Sequence, residues 1–241
     1  MSAKATVKRY LTRLREIPRM TVKRYLMFLL GVLVCATGIA FITRAALGTS
    51  PISSTPFVLS LITPPSMGVY TFLFNMLFLV GEAVLLKRFT WKQVLQIAAT
   101  FIFSLCIDGA LALIPTQLHG PLPMKLLYLA IGCPVMALGI SLEIFGGVIM
   151  LPGEGFVKAL AEKLRVEFGN MKVIFDSSLT AIAAVIALLA FGRLNGVGFG
   201  TLVSALLVGQ IVKFYTRRLG FIKKVFEEKP RPSSSSGKLR A

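Results

Sequence analysis

The sequence predicts an all-α polytopic membrane protein, with six transmembrane helices in two inverted three-helix repeats and one short, non-spanning helix in each repeat. Three observations carry this. The 241 residues are 55% hydrophobic and only 15% charged, with a mean hydropathy of +0.78, whereas a water-soluble domain carries about 25% charge. Lys and Arg fall almost entirely in alternate connecting segments. The chain also matches itself without a gap when shifted by 101 residues.

A helix needs about 20 apolar residues to cross ~30 Å of hydrocarbon. Six stretches meet that need: Tyr25 to Thr43, Val69 to Leu86, Val94 to Ile114, Leu126 to Phe145, Val173 to Phe191, and the shorter, Gly-broken Val197 to Val212. The first is too long for the apolar region of a secretory signal and has no small-residue cleavage site after it, so no cleavable signal is expected. The division that follows is a basic cytoplasmic or interfacial segment (1–24), a first membrane repeat (25–115), a second (126–215) and a basic tail (216–241).

Orientation follows from the Lys and Arg content of the connections, which favours the cytoplasm. Residues 1–24 carry eight, 87–93 three, 146–172 four and 213–241 nine, whereas the alternate segments hold only Arg44, Lys125 and Arg193. Both termini are therefore expected in the cytoplasm, a parity that six crossings require. The net charge of +17, set beside such spans, selects anionic lipid on the cytoplasmic side over nucleic acid as the partner. Nothing in the sequence fixes whether the chain forms a homo-oligomer.

Within the leader, Val7, Tyr10, Leu11, Leu14 and Ile17 recur every three or four residues among basic residues, the pattern of an interfacial helix that ends near Pro18. TVKRYL stands at 6–11 and again at 21–26, a local duplication that leaves Met20 as an alternative start. The Pro/Ser-rich end, KPRPSSSSGKLRA, has no periodicity and is expected to be disordered.

The 101-residue shift lays Gly31 on Gly132, Gly38 on Gly139, Pro51 on Pro152, Gly68 on Gly169, Phe74 on Phe175 and Asn75 on Asp176. Three crossings per copy force the copies to face opposite ways, an organisation common among secondary transporters; the plainer alternative is a duplicated unit that only builds a stable bundle. Between the first and second span of each copy lies a stretch too short to cross. Pro51 and Pro152 suit the first turn of short helices over 51–62 and 152–168, with Ser50 as a cap for the first. In the second, Phe156, Leu160, Leu164 and Phe168 form a stripe opposite Lys158, Glu162 and Arg165, which suits a helix lying at the cytoplasmic interface.

LGTSPISSTPFVLSLI, VIMLPGEGFVKAL, EFGNMKVIFDSSL and FGTLVSALLVGQIVKF, in that order, resemble the YczE/YyaS/YitT-like family of bacterial integral membrane proteins, in the branch of unknown function. The resemblance runs from about Tyr25 to Tyr215. It implies a multi-spanning inner-membrane protein and supplies no substrate. Relatives often carry Arg-Glu before the Gly-Thr of the last span, where this chain has Gly198 and Phe199 before Gly200 and Thr201.

Candidate working residues are the polar ones that the spans and short helices place at depth, since ionisable groups there are costly. The short-helix starts, which leave backbone N–H groups free, are the expected solute-binding places: Ser50, Pro51, Ser53, Ser54 and Thr55 in one copy, with their hydroxyls, and Pro152, Gly153, Glu154 and Gly155 in the other. Asn75 and Asp176, paired by the repeat, complete the expected substrate site. Asp108, Glu143 and Asp176 are the expected ion-coupling acids. Thr100, Ser104 and Asp108 share one helical face that suits either a polar seam or simple helix packing. Glu82 reads as a snorkelling partner for Lys87 or Arg88, and Arg44 as an interfacial anchor.

No enzyme is expected: His119, the one histidine, lies in a connecting segment, away from any span hydroxyl it would need to activate. Cys35, Cys106 and Cys133 have neither zinc nor CxxC spacing, so no cofactor or metal is expected. With no phosphate-binding GxxxxGK[ST] loop, transport would run on gradients or on a partner's energy. The function expected is gradient-driven secondary transport of a small solute; the alternative is a non-transporting membrane accessory or scaffold.

Overall fold

The computed structural model describes residues 19–218. The expected interfacial helix of the leader and the basic tail beyond 218 lie outside the described residues. The described residues form eight α-helices: α1 (Arg19–Arg44), α2 (Pro51–Ile62), α3 (Met67–Leu86), α4 (Trp91–Leu113), α5 (Leu122–Gly146), α6 (Pro152–Leu164), α7 (Phe168–Phe191) and α8 (Phe199–Arg218). Six are long and apolar enough to cross a membrane, and α2 and α6 are not. This is an integral membrane protein. Helix is the conformation that satisfies every backbone group within its own segment, as hydrocarbon demands.

The spans outrun the apolar runs by a few residues because local caps extend them. Ser66 accepts the Val69 N–H at the start of α3, and Gln93 Oε1 accepts the Thr90 N–H at the start of α4. Leu73, Leu77, Val80 and Val84 stay exposed along one face of α3, where lipid tails, not water, are the matching solvent.

The most buried span is α1, packed on α5, α4 and their neighbours around Phe28, Val32, Ile39 and Ile42. It crosses α5 antiparallel: Gly31 lies against Glu143, Gly38 against Met136, and Gly132 against Ile42. Glycine is required there. A Cβ on Gly38 would overlap the Met136 backbone, and one on Gly139 would overlap the backbone of Cys35. Close backbone approach over small residues is how helices associate without a hydrophobic drive.

The second short helix ends at Leu164, not at Phe168 as the periodicity suggests. Arg165 turns into the left-handed region (φ 57°) and Val166 N–H returns to the Ala161 carbonyl, a Schellman-type stop, so Phe168 opens α7. The Phe156/Leu164 stripe divides: Phe156 and Leu160 pack against the bundle, and only Leu164 is exposed. The buried face of α6 is Pro152, Gly153, Gly155, Val157, Ala159 and Ala161, because the helix packs lengthwise on α3 and α7.

Candidate functional site

The two short helices start deep in the bundle. Along α2, Thr55 donates to the Leu179 carbonyl of α7 at 2.9 Å, and Val58 packs on Ala183 and Ala187. Numbers rise together, so α2 runs alongside α7 and begins level with its middle. Along α6, Gly153 N–H donates to Asn75 Oδ1 at 3.2 Å, and the Phe156 ring stacks on Phe78 with centroids 5.9 Å apart. Thus α6 begins level with the middle of α3. The two starts touch: a Cβ on Gly153 would lie 2.8 Å from Ile52 Cδ1, so the missing side chain makes room for Ile52.

The hydroxyls at the α2 start are buried and mutually engaged. Ser50 is the N-cap residue, yet its side chain makes no capping bond. It donates instead to Ser53 Oγ at 2.9 Å, because the Ser53 N–H already bonds the Ser50 carbonyl. Ser54 donates to the Pro51 carbonyl. On the α6 side, Pro152 and Gly155 are buried, and a Cβ on Gly155 would sit 2.5 Å from Glu82 Oε2.

Four acids surround the α6 start at different distances. Glu143, on α5, is buried against Gly31 of α1, and its Oε1 has no hydrogen-bond partner among the described residues. Glu154 is partly buried in the first turn of α6. Burial pushes its carboxyl up from the ordinary range; Lys172 pulls it back and Asp176 adds to the rise. Asp176 pairs with Lys172, Nζ to Oδ1 at 3.0 Å, one turn away on the same helix, rather than with the start of α2. Glu82 turns inward: Gln96 Nε2 donates to Glu82 Oε2 at 3.2 Å and to the Met150 carbonyl at 3.0 Å. The expected pairing of Glu82 with Lys87 or Arg88 is not made, because the buried amide of Gln96 offers a closer donor.

Asp108 stands apart from this group as the cap of α3, accepting from Ser66 Oγ at 2.6 Å and from Gly68 N–H at 2.8 Å. Arg44 donates to the Leu111 carbonyl near the end of α4, which ties the end of α1 to that helix. A hollow of about 460 Å³ opens at the far end of α6, lined by Met150, Lys158, Glu162, Arg165 and Phe168 among others. It lies away from the two helix starts, where Ile52 fills the gap left by Gly153.

A family of unknown function, DUF6198, matches residues 22–217, which takes in all six spans and both short helices. The chain belongs to the DUF6198 family. Neither a curated protein nor a solved structure matches it. The family description names no activity, so the geometry of this DUF6198 chain has to carry the functional reading.

Three parts of that geometry escape sequence reasoning. The Phe78, Phe156 and Phe175 rings, from α3, α6 and α7, meet within 5.1 to 5.9 Å beside the Asn75–Gly153 contact. Ile52 reads as one more apolar residue until Gly153 is seen against it. Gln96 is the third. A glutamine inside a span is costly unless partnered, and that cost is the signal in the sequence that points to Gln93 and Gln96.

Proposed function

We propose that this protein is a gradient-driven secondary transporter of a small polar solute, seated in the bacterial cytoplasmic membrane with both termini cytoplasmic. The observation that carries the reading is the contact between Ile52 and Gly153, where two Pro-initiated helices that do not cross the bilayer meet start to start. Discontinuous helices whose starts meet inside a membrane bundle are how many carriers build a solute site, because the N-terminal amides point at the solute.

The inverted repeat belongs to the same reading and is supported by how contacts exchange under the 101-residue shift. Gly38 against Met136 becomes Gly139 against Cys35, and Gly31 against Glu143 becomes Gly132 against Ile42. Ile52 against Gly153 maps onto itself, as a contact on a two-fold axis must. The pairing of α2 with α7 becomes that of α6 with α3, and α1 with α4 becomes α5 with α8. Because α1 and α5 are antiparallel, the axis lies in the membrane plane.

In this reading the described arrangement is closed at the centre. Solute enters when one half rocks against the other and Ile52 leaves Gly153. Asn75 and the two helix starts, Ser50 to Thr55 and Pro152 to Gly155, with the N–H groups that follow each proline, then face the solute. Asp176 releases Lys172 and, with Glu143, takes up or gives off a cation or proton as access alternates. Asp108, holding the start of α3, responds to the movement of that helix.

The test begins with the purified full chain in detergent, screened for thermal stabilisation by small polar solutes, followed by uptake of each stabilising solute into proteoliposomes under pH and potential gradients. Accumulation above protein-free liposomes is expected, and Asp176→Asn should abolish its pH dependence. Stabilisation without flux would sink the transporter in favour of a solute-binding accessory protein. Unchanged pH dependence in Asp176→Asn would end its coupling role.

A further inference from the structure

Five buried side-chain atoms find no hydrogen-bond partner among the described residues, and four of them lie on one face of α4: Gln93 Nε2, Gln96 Oε1, Thr100 Oγ1 and Ser104 Oγ. Steps of three, four and four residues stack them in a single stripe. All four residues are nearly sealed from the surface, Thr100 at 0% exposure and Ser104 at 6%.

Helical hydroxyls in this bundle ordinarily solve the problem locally. Thr43, Thr71 and Ser141 each donate to the carbonyl four residues back. On α8, the helix that matches α4 under the 101-residue shift, Thr201 Oγ1 accepts the Thr49 N–H and Ser204 donates to the Thr201 carbonyl. Thr100 and Ser104 do neither. Unpaired polar atoms inside a membrane protein are costly enough that something must bond them.

The spacing says what fits. Four residues of helix rise about 6 Å, and one water bonding both ways at ~2.8 Å spans that gap. Water commonly fills such buried polar sites, making two to four bonds. A carboxylate stands toward each end of the part of the stripe from Gln96 to Ser104. Gln96 touches Glu82, and Asp108 follows Ser104 by one more turn, held by Ser66 and Gly68. Lys158 of α6 stands within electrostatic reach of Glu82, and Arg44 of α1 bonds the Leu111 carbonyl near Asp108. From Gln96, beside Glu82, to Asp108 the helix rises roughly 18 Å, more than half of the hydrocarbon thickness.

We propose that this face of α4 binds a single file of water between Glu82 and Asp108, and that the file conducts protons. The proton is then the coupling ion, a step that rests on the transport reading above. Glu82 takes a proton from water at its end, each water or hydroxyl oxygen along the file accepts one and passes on another, and Asp108, partly exposed near the end of α4, receives the last and releases it to water there. Thr100 and Ser104 relay, while the two glutamine amides orient the file without relaying. No bond to carbon forms or breaks and nothing is oxidised.

Thr100→Val keeps the shape and removes the hydroxyl, and Thr100→Ser keeps the hydroxyl. If water is bound, Thr100→Val strands it and lowers the melting temperature of the purified full chain by several degrees; a rise would mean the hydroxyl was dry and would overturn the proposal. In proteoliposomes with an internal pH dye and a potassium diffusion potential, the wild type should admit protons, Thr100→Val at least tenfold more slowly, and Thr100→Ser within about twofold of wild type. Equal rates for wild type and Thr100→Val, or no proton entry in the wild type, overturn the path. Solute exchange down a solute gradient alone is read in parallel. Intact exchange without proton entry removes only the path, whereas loss of exchange in the wild type removes the transport reading as well.

Discussion

Asn75, near the middle of α3, accepts the backbone N–H of Gly153 at 3.2 Å, so a side chain from one half of the chain caps a short helix belonging to the other. Asn75→Leu should leave that N–H buried and unpaired, at a cost of ~1–3 kcal/mol. Thermal unfolding in detergent should show the loss. Asn75→Asp, which restores an acceptor at a helix start, should recover part of it; equal melting for all three forms would show that the contact contributes nothing.

The α1–α5 crossing predicts a contrast between glycines. Gly38→Ala and Gly139→Ala place a Cβ into backbone atoms and should destabilise by about 1–3 kcal/mol each, as overpacking does. Gly109, within α4, has nothing within 4 Å of a Cβ, so Gly109→Ala should be neutral or stabilising by up to about 1 kcal/mol from helix propensity. Melting temperatures that fail to separate the two sets would refute the close crossing.

Glu154 gives a pH dependence with a definite sign. Its carboxyl is raised, chiefly by burial, so the folded state holds the proton more tightly than the unfolded chain. The penalty for ionising it is then absent below the ordinary glutamic-acid range of ~4.3, and stability falls as pH climbs from there through the raised value. Glu154→Gln, uncharged throughout, should melt higher than wild type at alkaline pH, with the advantage shrinking toward acid. A constant difference across the titration would contradict the assignment.

Topology is open to cysteine labelling. Both His119, between α4 and α5, and Lys163, near the end of α6, are exposed. His119→Cys should react with an impermeant maleimide in intact cells, and Lys163→Cys only after permeabilisation. The opposite pattern would reverse the proposed orientation.

By itself the sequence determined the number and position of the spans and the bounds of the first short helix, Pro51–Ile62. Hydropathy over some 20 residues and a proline at a helix start are local properties, and lipid leaves the backbone little choice but helix. Only the tertiary structure decided where the polar groups point. Glu82 turned to Gln96 instead of Lys87 or Arg88, and Asp108 became a helix cap, because each took a partner that packing supplied from a neighbouring helix. The contact of Ile52 with Gly153, and the four unpaired atoms along α4, depend on which helices lie side by side. That is set by the α1–α5 crossing over Gly31, Gly38 and Gly139, a long-range fit that no window of sequence contains.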